Sequence, residues 1–178
     1  MLRTKMNLSE LSVFVYGTLK PGGRYWPEFC EGKVGEPIPA KIRGALYDLH
    51  VGYPGLWLGE PNFASTTQAE ALPITSSRPG RSRPLPSARP GRSRALPRGE
   101  WALGYVLAFE REEDFLRLDG LEGYHPDLPY SENEYIRKKV SAYSMEGDPL
   151  GEVWAYEITE HVMERCRGTL IVDGDWPV

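Results

Sequence analysis

The sequence predicts an α+β domain in which strands outnumber helices. Short runs rich in β-branched and aromatic residues, bounded by Gly and Pro, recur from Val13 to Ile158. Helical spacing is confined to two short windows, Glu110–Leu121 and Glu160–Arg167. The length of 178 residues suits one domain with a real core, and 40% apolar with 26% charged residues is ordinary for a globular chain.

Val13-Phe14-Val15 runs into Tyr16-Gly17-Thr18-Leu19-Lys20-Pro21-Gly22-Gly23, a buried strand ending in a tight loop. Arg24 to Pro39 mixes Trp26, Phe29 and Val34 with Gly and Pro and reads as an irregular segment anchored by aromatics. Lys41–His50 suits a half-buried strand, Gly52-Tyr53-Pro54-Gly55 a turn, and Leu56-Trp57-Leu58 a further short strand. Trp101–Phe109 is short, apolar and aromatic, so strand is preferred. Glu110–Leu121 then places Phe115, Leu118 and Leu121 on one helix face, with acids in the first turn where the helix dipole favours them. Gly120 and Gly123 end that helix near Glu122. Glu134–Tyr143 and Leu150–Ile158 flank the turn signal Glu146-Gly147-Asp148-Pro149 and form a hairpin. Thr159 can N-cap a helix to Arg167, with Gly168 as its stop. Trp176 packs the tail down.

Residues 76–98 differ in texture. Arg78-Pro-Gly-Arg-Ser-Arg83 recurs as Arg89-Pro-Gly-Arg-Ser-Arg94, a step of 11 residues, and two copies do not make a solenoid. A Pro, Gly, Ser and Arg composition buries too little apolar area to offset its ordering entropy. It reads as a mobile insertion in one domain spanning 1–178. The net charge of −4 hides its effect: 76–98 holds seven arginines and no acid, and the other 155 residues carry −11. An acidic body argues against a nucleic-acid face on the domain.

A bilayer-spanning run of about 20 apolar residues is absent, and Met1–Glu10 lacks the apolar core of a secretory signal. The expectation is therefore no membrane association and a reducing cytoplasm. Cys30 and Cys166 are too few and too far apart for a disulfide framework. His50, His125 and His161 have no ligand spacing, so no metal is assigned. Cys30 as a nucleophile lacks a placed histidine partner.

Two stretches can carry chemistry. At Tyr16-Gly17-Thr18-Leu19, a glycine lets backbone N–H groups approach a carboxylate or oxyanion, although an ordinary turn after a core strand reads the same way. The spacing is not that of a phosphate loop. At Leu118-Asp119-Gly120-Leu121-Glu122-Gly123, a carboxylate faces the negative pole of a helix, which raises its pKa toward that of a general base. A solvent-facing glutamate in a C-terminal turn is the plainer reading.

Taken together these stretches resemble the γ-glutamylcyclotransferase-like (AIG2-like) family. The matching pieces are Tyr16-Gly17-Thr18-Leu19, Leu118-Asp119-x-x-Glu122-Gly123, Tyr135-x-Arg137, Trp154-x-Tyr156 and Gly174-Asp175-Trp176, which span nearly the whole chain apart from 76–98. The resemblance implies a small, mostly antiparallel β-barrel with flanking helices. It implies cleavage of a γ-glutamyl amide by attack of the substrate's own amine, releasing 5-oxoproline. Glu122 would act as base and then acid, and Gly17, Thr18 and Leu19 would hold an anion through their N–H groups. Tyr16, Tyr135 and Tyr156 would bind substrate, Arg137 would contact a substrate carboxylate or else be structural at the strand start, and Asp119 would orient the turn. The implied partner is a small γ-glutamyl compound: an amino acid conjugate, glutathione or a γ-glutamylamine. No cofactor is implied. A non-catalytic ligand-binding module on the same fold is the alternative, and an adaptor using the basic insertion is a third.

Overall fold

A computed structural model describes residues 10–59 and 101–178. The insertion reading at 76–98 lies outside the described residues. In chain order the elements are β1 (Ser12–Val15), α1 (Trp26–Phe29), β2 (Ile38–Arg43), β3 (Ala45–Asp48), β4 (Pro54–Trp57) and β5 (Trp101–Ala108). There follow α2 (Glu112–Leu121), a 3-10 turn (Tyr130–Glu132), β6 (Tyr135–Ser144), β7 (Pro149–Ile158), α3 (Glu160–Cys166) and β8 (Thr169–Leu170).

Five strands close into a barrel in the order β1-β5-β2-β6-β7. Every neighbouring pair is antiparallel except the closure, where β1 meets β7 in parallel at Val13 and Trp154. The fold is thus α+β, a small and mostly antiparallel barrel with helices beside it. β1 is buried along its whole length because it faces two cores. Phe14 and Tyr16 pack with Ala40, Ile42, Ala102, Val106, Ala142 and Ala155, while Val13 and Val15 pack with Leu107, Phe115, Leu118 and Ile158. A strand covered on both sides needs no alternation, which is why its sequence reads as an unbroken apolar run. Alanines facing the first core let five strands close on a small circumference. At Gly104 a Cβ would lie 2.1 Å from the Val15 carbonyl oxygen, so β5 can lie against β1 only without one.

The stretch Lys41–His50, expected as one strand, is two strands in different sheets. β2 belongs to the barrel and β3 to a second sheet ordered β4-β3-β8. The break is Gly44, at φ 149°, where a Cβ would also meet the Trp57 carbonyl at 3.0 Å. Pro54 and Gly55, expected in a turn, open β4 instead, an edge strand where a missing N–H is tolerated. The aromatic segment after the first loop contains the short α1 rather than being irregular throughout.

α2 is held by buried Phe115 and Leu118 on one face, with Glu112, Glu113 and Asp114 in its first turn. Glu122 is its C-cap, donating its backbone N–H to the Leu118 carbonyl at 2.9 Å, and Gly123 follows at φ 62°. The β6–β7 hairpin forms as the sequence predicts, from Tyr135 paired with Ile158 to Tyr143 paired with Pro149. Two helix-end expectations are corrected. The Thr159 hydroxyl does not cap α3; it donates toward the carbonyls of Asn133 and Glu134 at 3.0 and 2.8 Å. The left-handed residue closing α3 is Arg167, at φ 52°, not Gly168. Gly168 is needed for packing, since a Cβ there would lie 2.9 Å from the Met163 sulfur and 3.2 Å from Tyr47.

Candidate active site

The end of β1, the cap of α2, the start of β4 and strands β6 and β7 converge on a cavity of about 130 Å³. Its lining includes Tyr16, Gly17, Thr18, Leu19, Glu122, Tyr135 and Tyr156, so seven of the eight residues singled out from the sequence meet in one place. Its volume is below the roughly 300–1,000 Å³ of pockets for drug-sized ligands, which suits a small acyl group.

The loop after β1 is fixed from below and behind. Lys20 N donates to the Gly17 carbonyl at 3.0 Å and Tyr25 N to that of Thr18 at 3.0 Å. The Lys20 side chain is buried, and its ammonium donates to Asp175 Oδ1 at 2.7 Å and to the Trp176 carbonyl. The tail carrying Gly174-Asp175-Trp176 thereby holds the loop. Gly174 in turn sits so close to β5 that a Cβ would lie 1.9 Å from the Trp101 carbonyl oxygen. Among the described residues the N–H groups of Gly17, Thr18 and Leu19 make no hydrogen bond. A run of unpaired N–H donors beside a cavity is an anion-holding arrangement. At Gly17 a Cβ would lie 2.9 Å from the Pro54 ring, so this glycine lets β4 approach the loop.

Glu122 faces the cavity from the end of α2. Desolvation raises its carboxyl from the ordinary 4.5 to about 7. Among the described residues no hydrogen bond or ion pair holds the side chain, and the residue is half-buried, its carboxyl oxygens open to the cavity. Its charge is felt by Tyr16, Tyr53, Tyr135 and Tyr156, whose phenols are all raised, first by their own burial.

Three of these phenols have committed their single O–H to the protein. Tyr16 donates to the Tyr156 carbonyl at 2.6 Å, Tyr135 to the Pro54 carbonyl at 2.9 Å, and Tyr156 to Asp119 Oδ1 at 2.7 Å. Tyr16 also takes the Leu56 backbone N–H, so the lone pairs left to accept from a ligand are chiefly those of Tyr135 and Tyr156. The charged residues of the lining, Glu122 and Glu134, are both acids. Acceptors and carboxylates on the walls favour an ammonium group, and the loop N–H donors are left for an anion.

Arg137 is the sequence-selected residue that does not line the cavity. Its guanidinium donates from one nitrogen to both Asp119 oxygens, at 3.0 and 2.9 Å. It also lies 5.1, 5.6 and 5.0 Å from the ring centres of Phe115, Tyr124 and Trp154. Side chains missed from sequence are Tyr25, Tyr53, Pro54 and Glu134, all on the lining. The Tyr53-Pro54 pair stood in plain view as a turn signal, and nothing in the local pattern distinguishes Glu134. Cys30 is fully buried and pushed up to about 12, which keeps it a protonated thiol away from the lining.

The family model described as "Gamma-glutamyl cyclotransferase, AIG2-like" matches residues 13–78, a stretch that contains the loop and stops short of Glu122. No curated protein matches the chain. The fold is similar to the crystal structure of YkqA from Bacillus subtilis, with a TM-score of 0.50 and 15% identity. That likeness covers 93% of this chain but 39% of YkqA, so the chain spans well under half the length of that relative. The crystal structure of c4763, a uropathogenic E. coli-specific protein, is similar at a TM-score of 0.50 and 13% identity, covering 93% of this chain and 91% of that one. At these identities the likeness is one of fold. Residues 13–78 are thus similar to the gamma-glutamyl cyclotransferase, AIG2-like family, and the chain shares the barrel fold of these structures.

Proposed function

We propose that the chain cleaves a γ-glutamyl amide by cyclisation, releasing 5-oxoproline and an amine. The observation that carries the proposal is the Glu122 carboxyl: it lies on the cavity wall without a bonding partner among the described residues, raised to about 7, in a cavity also lined by a loop of unpaired N–H groups. A base with a pKa near the working pH is present in useful amounts in both protonation states.

In this reading the substrate's α-ammonium lies among Glu122 and the acceptor oxygens of the tyrosines. Glu122 takes one proton, and the freed amine attacks its own γ-carbonyl to close a five-membered ring. The loop N–H groups hold the substrate carboxylate or the oxyanion. As the C–N bond breaks, Glu122 protonates the leaving nitrogen. After ring closure the α-nitrogen loses its second proton to the same carboxylate, which passes it to the departing primary amine as that becomes an ammonium, so the α-nitrogen goes from three protons to one and protons balance. Nucleophile and electrophile belong to one molecule, so positioning replaces a protein nucleophile. The reading places the reaction in a reducing cytoplasm, where Cys30 and Cys166 stay as free thiols. Among the described residues no helix is long and apolar enough to cross a membrane.

The test is 5-oxoproline release from γ-glutamyl amino acids, glutathione and γ-glutamylamines, for wild type and Glu122→Gln. Product from wild type alone supports reaction and base together. Equal release by both proteins removes Glu122 as the base. No release by either leaves a ligand-binding module as the better account.

A further inference from the structure

Asp119 and Glu122 stand three residues apart at the end of α2, a spacing that places their side chains on neighbouring parts of one helix face. Only Glu122 lines the cavity. Asp119 lies behind it, its side chain 13% exposed and paired with Arg137, which is 17% exposed. The same Asp119 oxygen that accepts from Arg137 at 3.0 Å accepts the Tyr156 hydroxyl at 2.7 Å. Arg137 is itself fixed among Phe115, Tyr124 and Trp154. The arrangement is over-determined for a simple turn: a rigid cation holds a carboxylate, and the carboxylate holds a phenol of the cavity wall.

That phenol is the cavity's obvious rival for Glu122. Tyr156 and Glu122 line the same cavity and the Glu122 charge acts on the Tyr156 phenol, so a hydroxyl freed from Asp119 has an unpartnered carboxylate to turn to, and an O–H···carboxylate bond there would be strong. We propose that Asp119, clamped by Arg137, is a positioning residue that takes up the Tyr156 hydroxyl so that it cannot donate to Glu122, leaving that carboxyl free to receive a proton from the ligand. The inference deepens the cyclotransferase reading, on which its catalytic meaning rests. It also gives Arg137 a place in the site without contact to substrate.

The other titratable groups on the cavity lining are Tyr16 after β1, Tyr25 before α1, Tyr53 before β4, Glu134 before β6 and Tyr135 on it. Tyr16 and Tyr135 have committed their O–H groups to backbone carbonyls. Tyr53 is half-buried, and Glu134 is exposed with Arg165 at 3.7 Å. Neither touches the Asp119–Arg137 pair, so both act alike in every variant below.

The test titrates the Glu122 side-chain carboxyl by carbon NMR, assigned by the signal lost in Glu122→Gln, and needs no turnover. Asp119→Leu with Arg137→Met removes a charge pair that cancels and frees Tyr156. The expected result is a fall in the Glu122 midpoint of about one pH unit, because a hydrogen bond to the charged form favours it. Adding Tyr156→Phe to that double variant is expected to return the midpoint to its original position, which a merely structural role would not do. If the double variant does not fold, Asp119→Ala, which leaves no acceptor for the hydroxyl, is compared with Asp119→Ala plus Tyr156→Phe in the same way. A midpoint that stays put, or one that falls equally with and without the Tyr156 hydroxyl, overturns the proposal. Wild-type 5-oxoproline release is measured in parallel. Its absence would count against the reaction and leave the titration result standing by itself.

Discussion

Replacing Glu122 with Gln should stabilise the protein, and by an amount that depends on pH. Burial raises this carboxyl from 4.5 to about 7, so the native state resists its ionisation. At about 1.4 kcal/mol per pH unit, the displacement corresponds to roughly 3 kcal/mol of native-state stability lost on ionisation. Water entering the open cavity trims that to about 2 to 3 kcal/mol. The sign follows from proton counts. Between 4.5 and 7 the native state holds a proton that the unfolded chain has released, so this residue's contribution to stability falls as pH rises through that window. Above it the loss is complete, and below it the loss vanishes.

Gln is neutral at every pH, so the difference between variant and wild type isolates Glu122 from all other titrating groups. Urea unfolding should show Glu122→Gln more stable by about 2 to 3 kcal/mol near pH 8 and by under about 1 kcal/mol near pH 5. Thermal midpoints should separate by about 5–10 °C at the higher pH. A difference that is the same at both pH values would refute the reasoning, since the carboxyl would then not be desolvated. A variant less stable than wild type at pH 8 would mean that a partner holds the charged form.

Three other perturbations probe how the site is supported. Gly17→Ala forces a Cβ to within 2.9 Å of the Pro54 ring, which lines the cavity and whose carbonyl holds Tyr135. It should cost about 1–3 kcal/mol in urea unfolding and a larger share of activity than of stability. Asp175→Asn removes the carboxylate from the buried Lys20 ammonium but keeps a carbonyl, and Trp176 still accepts. Because Asp175 is half exposed, the expected loss is about 1–2 kcal/mol, greatest at low ionic strength. Leu118→Ala hollows the core beneath the Glu122 cap, where Leu118 is fully buried, and should cost about 2–5 kcal/mol by denaturant unfolding.

Much of this site was legible in the sequence because its parts use backbone rules that are local. The loop after Val15 and the glycine-terminated helix at Glu122 are marked by residues required wherever such turns occur, and each carries its own signal. What lay hidden depends on which strands meet. Gly44 reads as an ordinary strand glycine until β2 and β3 are seen to belong to different sheets. Arg137 reads as an anion binder until its partner proves to be Asp119, which is 18 positions back in the chain and adjacent across the fold. The helix-pole argument for Glu122 anticipated a raised pKa, but burial in the cavity is the cause found, and burial has no local signature. The tail makes the same point. Gly174-Asp175-Trp176 can be recognised as a motif, yet its physical meaning appears only when Lys20, 155 positions earlier, is found buried against Asp175. Matching short motifs from opposite ends of the chain therefore carry shared information: they are the two halves of contacts that hold one loop in place.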